Sequence, residues 1–444
     1  MDNALIYSAE AIGIRANYLA TPFWYNAALF LIKPLYRSRI KKRADNDAQY
    51  QQECLERFGP FQPAKNLNAI WFHVVSVGET NAAQPLIEHY LEAGHAVLVT
   101  NTTKTGQARA KSLFLKAPYE PLFQAVYLPA DQASLVRRFI QKYQPKMLVL
   151  VETELWPNLI DQAQQLNLPR LLINARLSEK SAKGYGKVSS LSRPMLQGLN
   201  QVLVQDQAAL SRFIDLGADP AHSQVVGSIK FDIHAPAHFV GQAAQLKQDW
   251  ALAGRKIITM ASTHAPEEQK LLSALKPYLQ QHPELLCIVV PRHPERFDEV
   301  FAMAEKLELS TQRRSLSQSI QRDTQIYLAD SMGELWLWLA LSQACFVGGS
   351  LNEPGGGHNI LEPVALHVPT VLGKNYFNFQ TIVDEFVAVN GVEIVQDAEQ
   401  AAQVLFELLE NPQKAQALNA AAQQIMQKNT GSLQKHIQVI DQYL

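Results

Sequence analysis

The sequence predicts an α/β protein of two similar halves, each a parallel sheet covered by helices on both faces. Three observations carry this. A chain of 444 residues exceeds one ordinary hydrophobic core. From about Ala69 onward, apolar runs of strand length alternate with longer helical stretches. The alternation fades after Phe231 and restarts at Lys256.

Taken in order, the N-terminus is the one membrane-like region. Seventeen uncharged residues, Ala16–Ile32, are rich in aromatics and precede the basic cluster Lys33, Arg37, Arg39, Lys41, Lys42 and Arg43. Their length is at the short end for a spanning helix, and Pro22 and Pro34 interrupt or close it. A span and an interfacial helix held by Trp24 and the basic residues both fit, as does a hydrophobic helix of a soluble protein. With its charges after the apolar run, the segment is not a secretory signal.

In the first half, Ala69–Val77, 96–100, 125–128, Met147–Val151, 170–174 and Gln201–Val204 read as strands, with helices over 80–93 and 132–142. Residues 236–253, rich in Ala, His, Gln and Pro, suit a connection. In the second half, 256–261, 286–290, 325–328, Ala344–Val347 and Thr370–Gly373 read as strands, with helices over 266–280 and 332–341. The Gln- and Ala-rich end of the chain reads as amphipathic helix. The resulting division is 1–43 membrane-associated, 44–235 first domain, 236–253 linker, 254–425 second domain, and 426–444 a helix packing back on the first domain.

Composition excludes several function classes. Lys plus Arg is 40 against 41 Asp plus Glu, giving a formal charge of -1, so nucleic-acid binding, which calls for a basic surplus, is not expected. Three scattered cysteines fit neither a disulfide framework nor a metal site. There is no Walker loop, no Gly-x-Ser-x-Gly elbow, no His-Glu-x-x-His and no strand-linked Gly-x-Gly-x-x-Gly.

Ligands of open parallel sheets bind beyond the carboxyl ends of the strands, and the unusual residues gather there. Cys345–Glu362 carries five glycines after a strand and ends in Asn359, Ile360, Leu361 and Glu362, which read as a helix start with an Asn359/Glu362 capping box. Gly349 lies at its opening; the glycines let the backbone come close to a bound group, and exposed amides at a helix N-terminus attract anions. Arg292, with His293 and Arg296, ends a buried strand next to Pro291 with donors suited to phosphate. Ser262 and His264 follow the first strand of this half, Met332, Gly333 and Glu334 offer another helix start, and Glu362 suits ribose hydroxyls. In the first half, Glu79 is either a general base or a helix cap. Glu152 and Glu154 form a second acidic site, and their spacing of two puts both on one side of an extended segment.

The stretches 76–80, 152–158, 174–178, 227–232, Pro291–Arg296, 332–335 and 356–362 together resemble the 3-deoxy-D-manno-octulosonic acid (Kdo) transferases, bacterial enzymes of lipopolysaccharide inner-core assembly. The resemblance runs from near Arg37 almost to the C-terminus. Asn352–Gly357 departs from it, by one additional glycine. The resemblance implies a glycosyltransferase-B fold, two Rossmann-like domains facing a cleft, with acceptor bound by the first and nucleotide by the second. It implies an inverting, metal-independent, cofactor-free transfer of Kdo from CMP-Kdo to a lipid A precursor (lipid IVA) at the cytoplasmic face of the inner membrane. Carried to matching positions, Glu79 is the catalytic base, and Pro291, Arg292, Met332, Gly333, Glu334, Asn359, Ile360, Leu361 and Glu362 hold CMP. Lys104, Arg176 and Lys230 are candidates for the Kdo carboxylate; Glu154, Ser262, His264 and Gly349 are further donor or acceptor contacts. A nucleotide-sugar 2-epimerase of the same fold and a non-catalytic membrane-surface ligand-binding module are the alternatives.

Overall fold

The computed structural model describes residues 20–44 and 46–444. Ala16–Leu19 of the membrane-like stretch, and the rest of 1–19, lie outside the described residues. Chain contacts divide the molecule into two units, one running to Asp232 and resumed at Asn429–Leu444, the other Ile233–Lys428.

The first unit is built on seven parallel strands: β1 (Ile70–His73), β2 (Val97–Asn101), β3 (Phe123–Tyr127), β4 (Met147–Val151), β5 (Arg170–Ala175), β6 (Gln201–Val204) and β7 (Ser223–Val225). Their order is β3-β2-β1-β4-β5-β6-β7, with Ile70 beside both Val97 and Met147. Runs such as Met147-Leu148-Val149-Leu150-Val151 are apolar throughout because helices cover both faces. The two covering layers are separate cores, one around Trp71, Phe139 and Leu150, the other around Phe72, Ile87 and Val149. The C-terminal helix Ser432–Asp441 joins the second core through Ile437 and Ile440, and the Tyr90 hydroxyl donates to its Asp441 at 3.0 Å.

The second unit repeats the plan with β8 (Lys256–Thr263), β9 (Leu285–Pro291), β10 (Thr311–Arg313), β11 (Ile326–Leu328), β12 (Ala344–Val347), β13 (Thr370–Gly373) and β14 (Glu393–Val395), in the order β10-β11-β9-β8-β12-β13-β14. In each sheet the winding reverses once beside the first strand, between β1 and β4 and between β8 and β12. Such switch points open a crevice at the strand ends.

Three differences from the sequence reading have local causes. The edge strands β7, β10 and β14 escape notice because each is only three residues long: β7 and β10 are mostly polar and partly exposed, and β14 offers just Ile394 and Val395 as apolar residues, too short a run to mark a strand. Residues 236–253 are not a bare connection: they contain the helix Ala237–Asp249. Phe239, Ala243, Leu246 and Trp250 recur at helical spacing and pack with Ile257, Leu286 and Trp338. At the N-terminus, the helix Phe23–Arg43 runs through Pro34, so apolar and basic residues share one element. Phe23, Phe30, Leu31 and Leu35 are exposed while Ile40 is buried. Tyr25 and Asn26 fasten it: the Tyr25 hydroxyl donates to Asp131 at 2.9 Å, and Asn158 Nδ2 donates to Asn26 Oδ1 at 3.0 Å. No helix among the described residues is long and apolar enough to cross a membrane.

Candidate active site

Each switch point carries its own set of functional side chains. In the first unit, Ser76 caps the helix Val77–Glu92 and places Glu79 in its first turn. One oxygen of Glu79 accepts the Val75 amide at 2.7 Å; the other accepts the Ser76 hydroxyl at 3.1 Å. Glu79 is therefore a cap, and its environment suits it to proton transfer as well. Burial pushes its carboxyl up to about 7, against the Val75 amide; the charges of Glu154 and Glu152 push the same way. A carboxylate poised near neutrality is what a general base needs.

Glu152 and Glu154 follow β4 and divide their work. Glu152 sits in the left-handed region, φ 64°, so the segment is not extended there, and strand alternation does not decide where the two side chains point. Its carboxylate accepts Arg176 Nε at 2.7 Å and Lys230 Nζ at 2.6 Å. Arg176 and Lys230 are thus drawn together on one carboxylate, with the Arg176 side chain 43% exposed. Among the described residues Glu154 accepts only the Trp156 indole, at 3.2 Å, and burial raises its carboxyl. Lys104 opens the helix that follows β2, behind the cap residue Thr103.

In the second unit the glycine-rich loop after β12 is a folded knot and not an open cradle. The Gly348 amide donates to Ala261 O at 2.8 Å, Gly357 to Gly349 O at 2.9 Å and Gly356 to Asn375 O at 3.0 Å. The Gly349 amide donates to Glu267 Oε1 at 2.5 Å. These amides are consumed by the protein. Gly348 is dictated by close approach: a Cβ there would lie 2.6 Å from Glu267 Oε1 and from Ser262 O. Gly356, at φ +131°, lies where a Cβ would meet Asn378 Nδ2 at 2.2 Å.

Glu267 is the residue that sequence reasoning missed. It is fully buried in the first turn of the helix Glu267–Gln281 and accepts the amides of His264, Gly349 and Leu351, tying the β8 turn to the loop. Its signal was present as a carboxylate three residues after His264 at a helix start.

The donors at this rim are side chains. His264 and His358 face each other, Nε2 to Nε2 at 2.6 Å with rings 7° from parallel, so one donates and the other accepts. His293 packs edge-on against His264, centroids 4.9 Å apart. Burial, then the neighbouring His264, Arg292 and His293, hold His358 down to about 4; burial with His293 and Arg292 lowers His264. Arg292 is exposed beside them and makes no ion pair among the described residues, whereas Arg296 is bound to Glu268 and Glu299. Burial lifts Glu362 to about 7, against the charge of Arg292.

The expected capping box does not form. The helix is only Leu361–Ala365, with Ile360 at its N-cap and Asn359 Oδ1 accepting the Leu361 amide at 3.2 Å, and five residues carry little macrodipole. Ile360 and Leu361 are buried. Pro291 ends β9 opposite Thr263, and Ser262, at φ 54°, turns the chain out of β8. On the β11 side, Met332 is exposed, Gly333 has φ +85°, and Glu334 is gripped by Arg314 Nη2 at 2.9 Å. Among the described residues no group of three or more His, Cys, Asp or Glu could hold a metal ion.

A doubly wound unit with a neutral-range carboxylate at its switch point, and a second with cationic and imidazole donors at its own, define a transferase using a phosphate-bearing donor. The comparisons give that class its name. Residues 52–233 match the family model "3-Deoxy-D-manno-octulosonic-acid transferase (kdotransferase)", and residues 245–425 match "Glycosyl transferases group 1". The chain is a glycosyltransferase, and its units are the two Rossmann-like domains of the glycosyltransferase-B fold. The 3-deoxy-D-manno-octulosonic acid transferase of Haemophilus influenzae is 34% identical over 427 residues, 95% of this chain and 98% of the relative. That of Bordetella pertussis is 34% identical over 432 residues, 95% and 99%. A crystal structure of the C-terminal CMP-Kdo binding domain of WaaA from Acinetobacter baumannii is 61% identical, covering 43% of this chain and all of that one, with a TM-score of 0.43. This chain belongs to the 3-deoxy-D-manno-octulosonic acid transferase family, and the 2-epimerase and binding-module alternatives give way to Kdo transfer.

Proposed function

We propose that the protein moves Kdo, with inversion, from CMP-Kdo to a lipid A precursor such as lipid IVA, working at the cytoplasmic face of the inner membrane in lipopolysaccharide core synthesis. The observation that carries the mechanism is Glu79: a carboxyl lifted to about 7 and held by two hydrogen bonds in a fixed rotamer. Glu79 takes the proton of an acceptor sugar hydroxyl as its oxygen attacks the anomeric carbon of Kdo from the face opposite CMP. General-base assistance of this kind contributes about two to four powers of ten in rate.

Arg292 and the imidazoles of His264, His293 and His358 meet the charge on the departing nucleotide phosphate, a task their donors suit. Glu362, with Arg292 as its cation, receives the ribose hydroxyls. Pro291, Met332, Gly333, Asn359, Ile360 and Leu361 shape the walls around the nucleotide, and Gly349 and Ser262 set the turns that carry the histidines. Glu334 holds its place through Arg314. In the first unit, Arg176, Lys230 and Lys104 attract the anionic groups of sugar and acceptor, and Glu154 orients an acceptor hydroxyl.

The helix Phe23–Arg43 lies flat among lipid headgroups. Exposed Phe23, Phe30, Leu31 and Leu35 beside its many basic residues support that placement. Mass spectrometry of lipid IVA incubated with CMP-Kdo and the protein tests the whole proposal. A product heavier by one or more Kdo residues is expected, and unmodified lipid IVA would overturn it.

A further inference from the structure

The cations that converge on Glu152 come from two separate segments, Asn174-Ala175-Arg176 at the end of β5 and Gly227-Ser228-Ile229-Lys230 after β7. Both are fastened to the last helix of the chain. His436, fully buried in that helix, places Nδ1 2.7 Å from Ser432 O and Nε2 3.0 Å from the Asn174 amide nitrogen. A carbonyl only accepts and an amide only donates, so Nδ1 carries the proton and Nε2 is the acceptor. Asn429, just ahead of the helix, accepts the Ser228 amide at 2.8 Å. Asn174 Oδ1 accepts the Ile229 amide at 3.2 Å and joins the two turns directly. Asp232 accepts the amides of Gly431 at 3.2 Å and Leu433 at 2.7 Å, closing the joint from the other side.

Asn174 is left-handed at φ 47°, a conformation Asn tolerates better than most residues, and the β5–β6 register shifts between Leu172 and Ala175. The irregularity precedes the residue that donates to Glu152, while Thr153 Oγ1 donates to Arg176 O at 2.7 Å. The end of β5 and the Glu152-Thr153-Glu154 turn are therefore bonded to one another, and the charges of Glu154 and Glu152 are among those that tune Glu79. Asn174 Nδ2, Ser228 Oγ and Ser432 Oγ are buried at this joint, with no protein partner among the described residues.

We propose that His436 is a positioning residue for Kdo transfer: by accepting the Asn174 amide through Nε2, it fixes the turn that lays Arg176 on Glu152 and so sets the acidic site around Glu79. The inference rests on the transferase reading only for its kinetic part. The local part concerns the backbone of the Asn174 turn and stands by itself.

Two substitutions separate the roles of the ring nitrogens. His436→Asn keeps a donor near Nδ1 for Ser432 but removes the acceptor. His436→Gln places an oxygen near Nε2 and restores it. In full-length protein, hydrogen exchange of peptides covering 170–178 and 226–232 is expected to accelerate in H436N and to stay near wild type in H436Q. With CMP-Kdo and lipid IVA, kcat of H436N falls about tenfold or more, the scale of a misplaced catalytic group, while KM for CMP-Kdo stays within about twofold; H436Q recovers most of the rate.

Equal exchange in both variants and wild type would overturn the joint. A folded H436N that turns over at the wild-type rate would overturn the positioning role. Wild type that transfers no Kdo would sink the transferase reading while the exchange data still decide the joint. Should H436N fail to fold, Asn429→Ala removes the acceptor for Ser228 and is expected to loosen 226–232 with the same loss of kcat.

Discussion

Replacing Glu79 by Gln separates a base from a cap, because it keeps the capping hydrogen bonds and removes the group that can take a proton. Glutamine is isosteric, its oxygen can still accept the Val75 amide, and its amide can donate to Ser76, so the first turn of the helix keeps its ties. What it removes is a buried charge. Glu79 is 9% exposed, and burial lifts its carboxyl to about 7 in the fold, against 4.5 for a glutamate free in water. For a raised carboxyl the native state binds more protons than the unfolded chain between these values. Its contribution is complete below the unfolded pKa and is lost as pH rises through 7. At about 1.4 kcal/mol per pKa unit, ionising Glu79 costs the native state about 3 kcal/mol at pH 8, an upper figure given residual solvent contact. Glu79→Gln is therefore expected to raise the melting temperature at pH 8 relative to wild type while transfer drops by about two to four powers of ten. Glu79→Ala should lose the same activity and also stability, since the Val75 amide is left without an acceptor, at about 1–3 kcal/mol. The assay is Kdo incorporation into lipid IVA beside thermal melts at pH 6 and pH 8. If Glu79→Gln retains near-wild-type turnover, Glu79 is a cap and nothing more.

Other outcomes follow from the same geometry. The rate should fall about tenfold for each pH unit below 7, because protonated Glu79 cannot accept the hydroxyl proton; a plateau extending down to pH 5 in a pH–rate profile would assign the base elsewhere. Glu362→Ala should raise KM for CMP-Kdo by about tenfold or more, as loss of a paired hydroxyl contact does, and leave KM for lipid IVA unchanged. An unchanged donor titration would move the nucleotide away from Glu362. Glu267→Gln offers one acceptor oxygen to amides that now share two, so donor binding by calorimetry and the melting temperature should fall together; a loss of turnover with both unchanged would give Glu267 a chemical role.

The sequence exposed the fold through its buried strands, because a strand covered on both faces must be apolar at every position and so stands out. It concealed β7, β10 and β14, whose outer edges let polar residues in, and the helix Ala237–Asp249, whose apolar stripe is diluted by Ala and Gln. At the site, residue types were legible and partnerships were not. Arg176 and Lys230 looked like ligand contacts and Glu152 like half of an acidic site with Glu154, but the mutual bonds of the three depend on segments separated by 24 and 78 positions. Glycines in Cys345–Glu362 looked like an amide cradle because glycine serves equally for close approach by a ligand or by the protein itself. Only the bonds from Gly348, Gly349, Gly356 and Gly357 to protein oxygens decide between those uses.

A raised pKa by itself does not find the base in this molecule, and the two switch points show why. Each sheet follows its first strand with a helix whose first turn holds a glutamate bonded back to an amide just upstream: Glu79 to Val75, Glu267 to His264. Burial lifts both to about 7. They part in what else their oxygens meet. Glu267 has no exposed surface and accepts two further amides from the glycine-rich loop, so no substrate proton can reach it without dismantling that loop. Among the described residues the second oxygen of Glu79 meets only the Ser76 hydroxyl, a group that can rotate away and accept in its turn, and the carboxylate keeps a strip of open surface. The same local device, a helix-start glutamate in a switch-point crevice, thus serves as a structural clasp when all its acceptor capacity is spent on backbone, and as a candidate base when one oxygen is left to a movable partner.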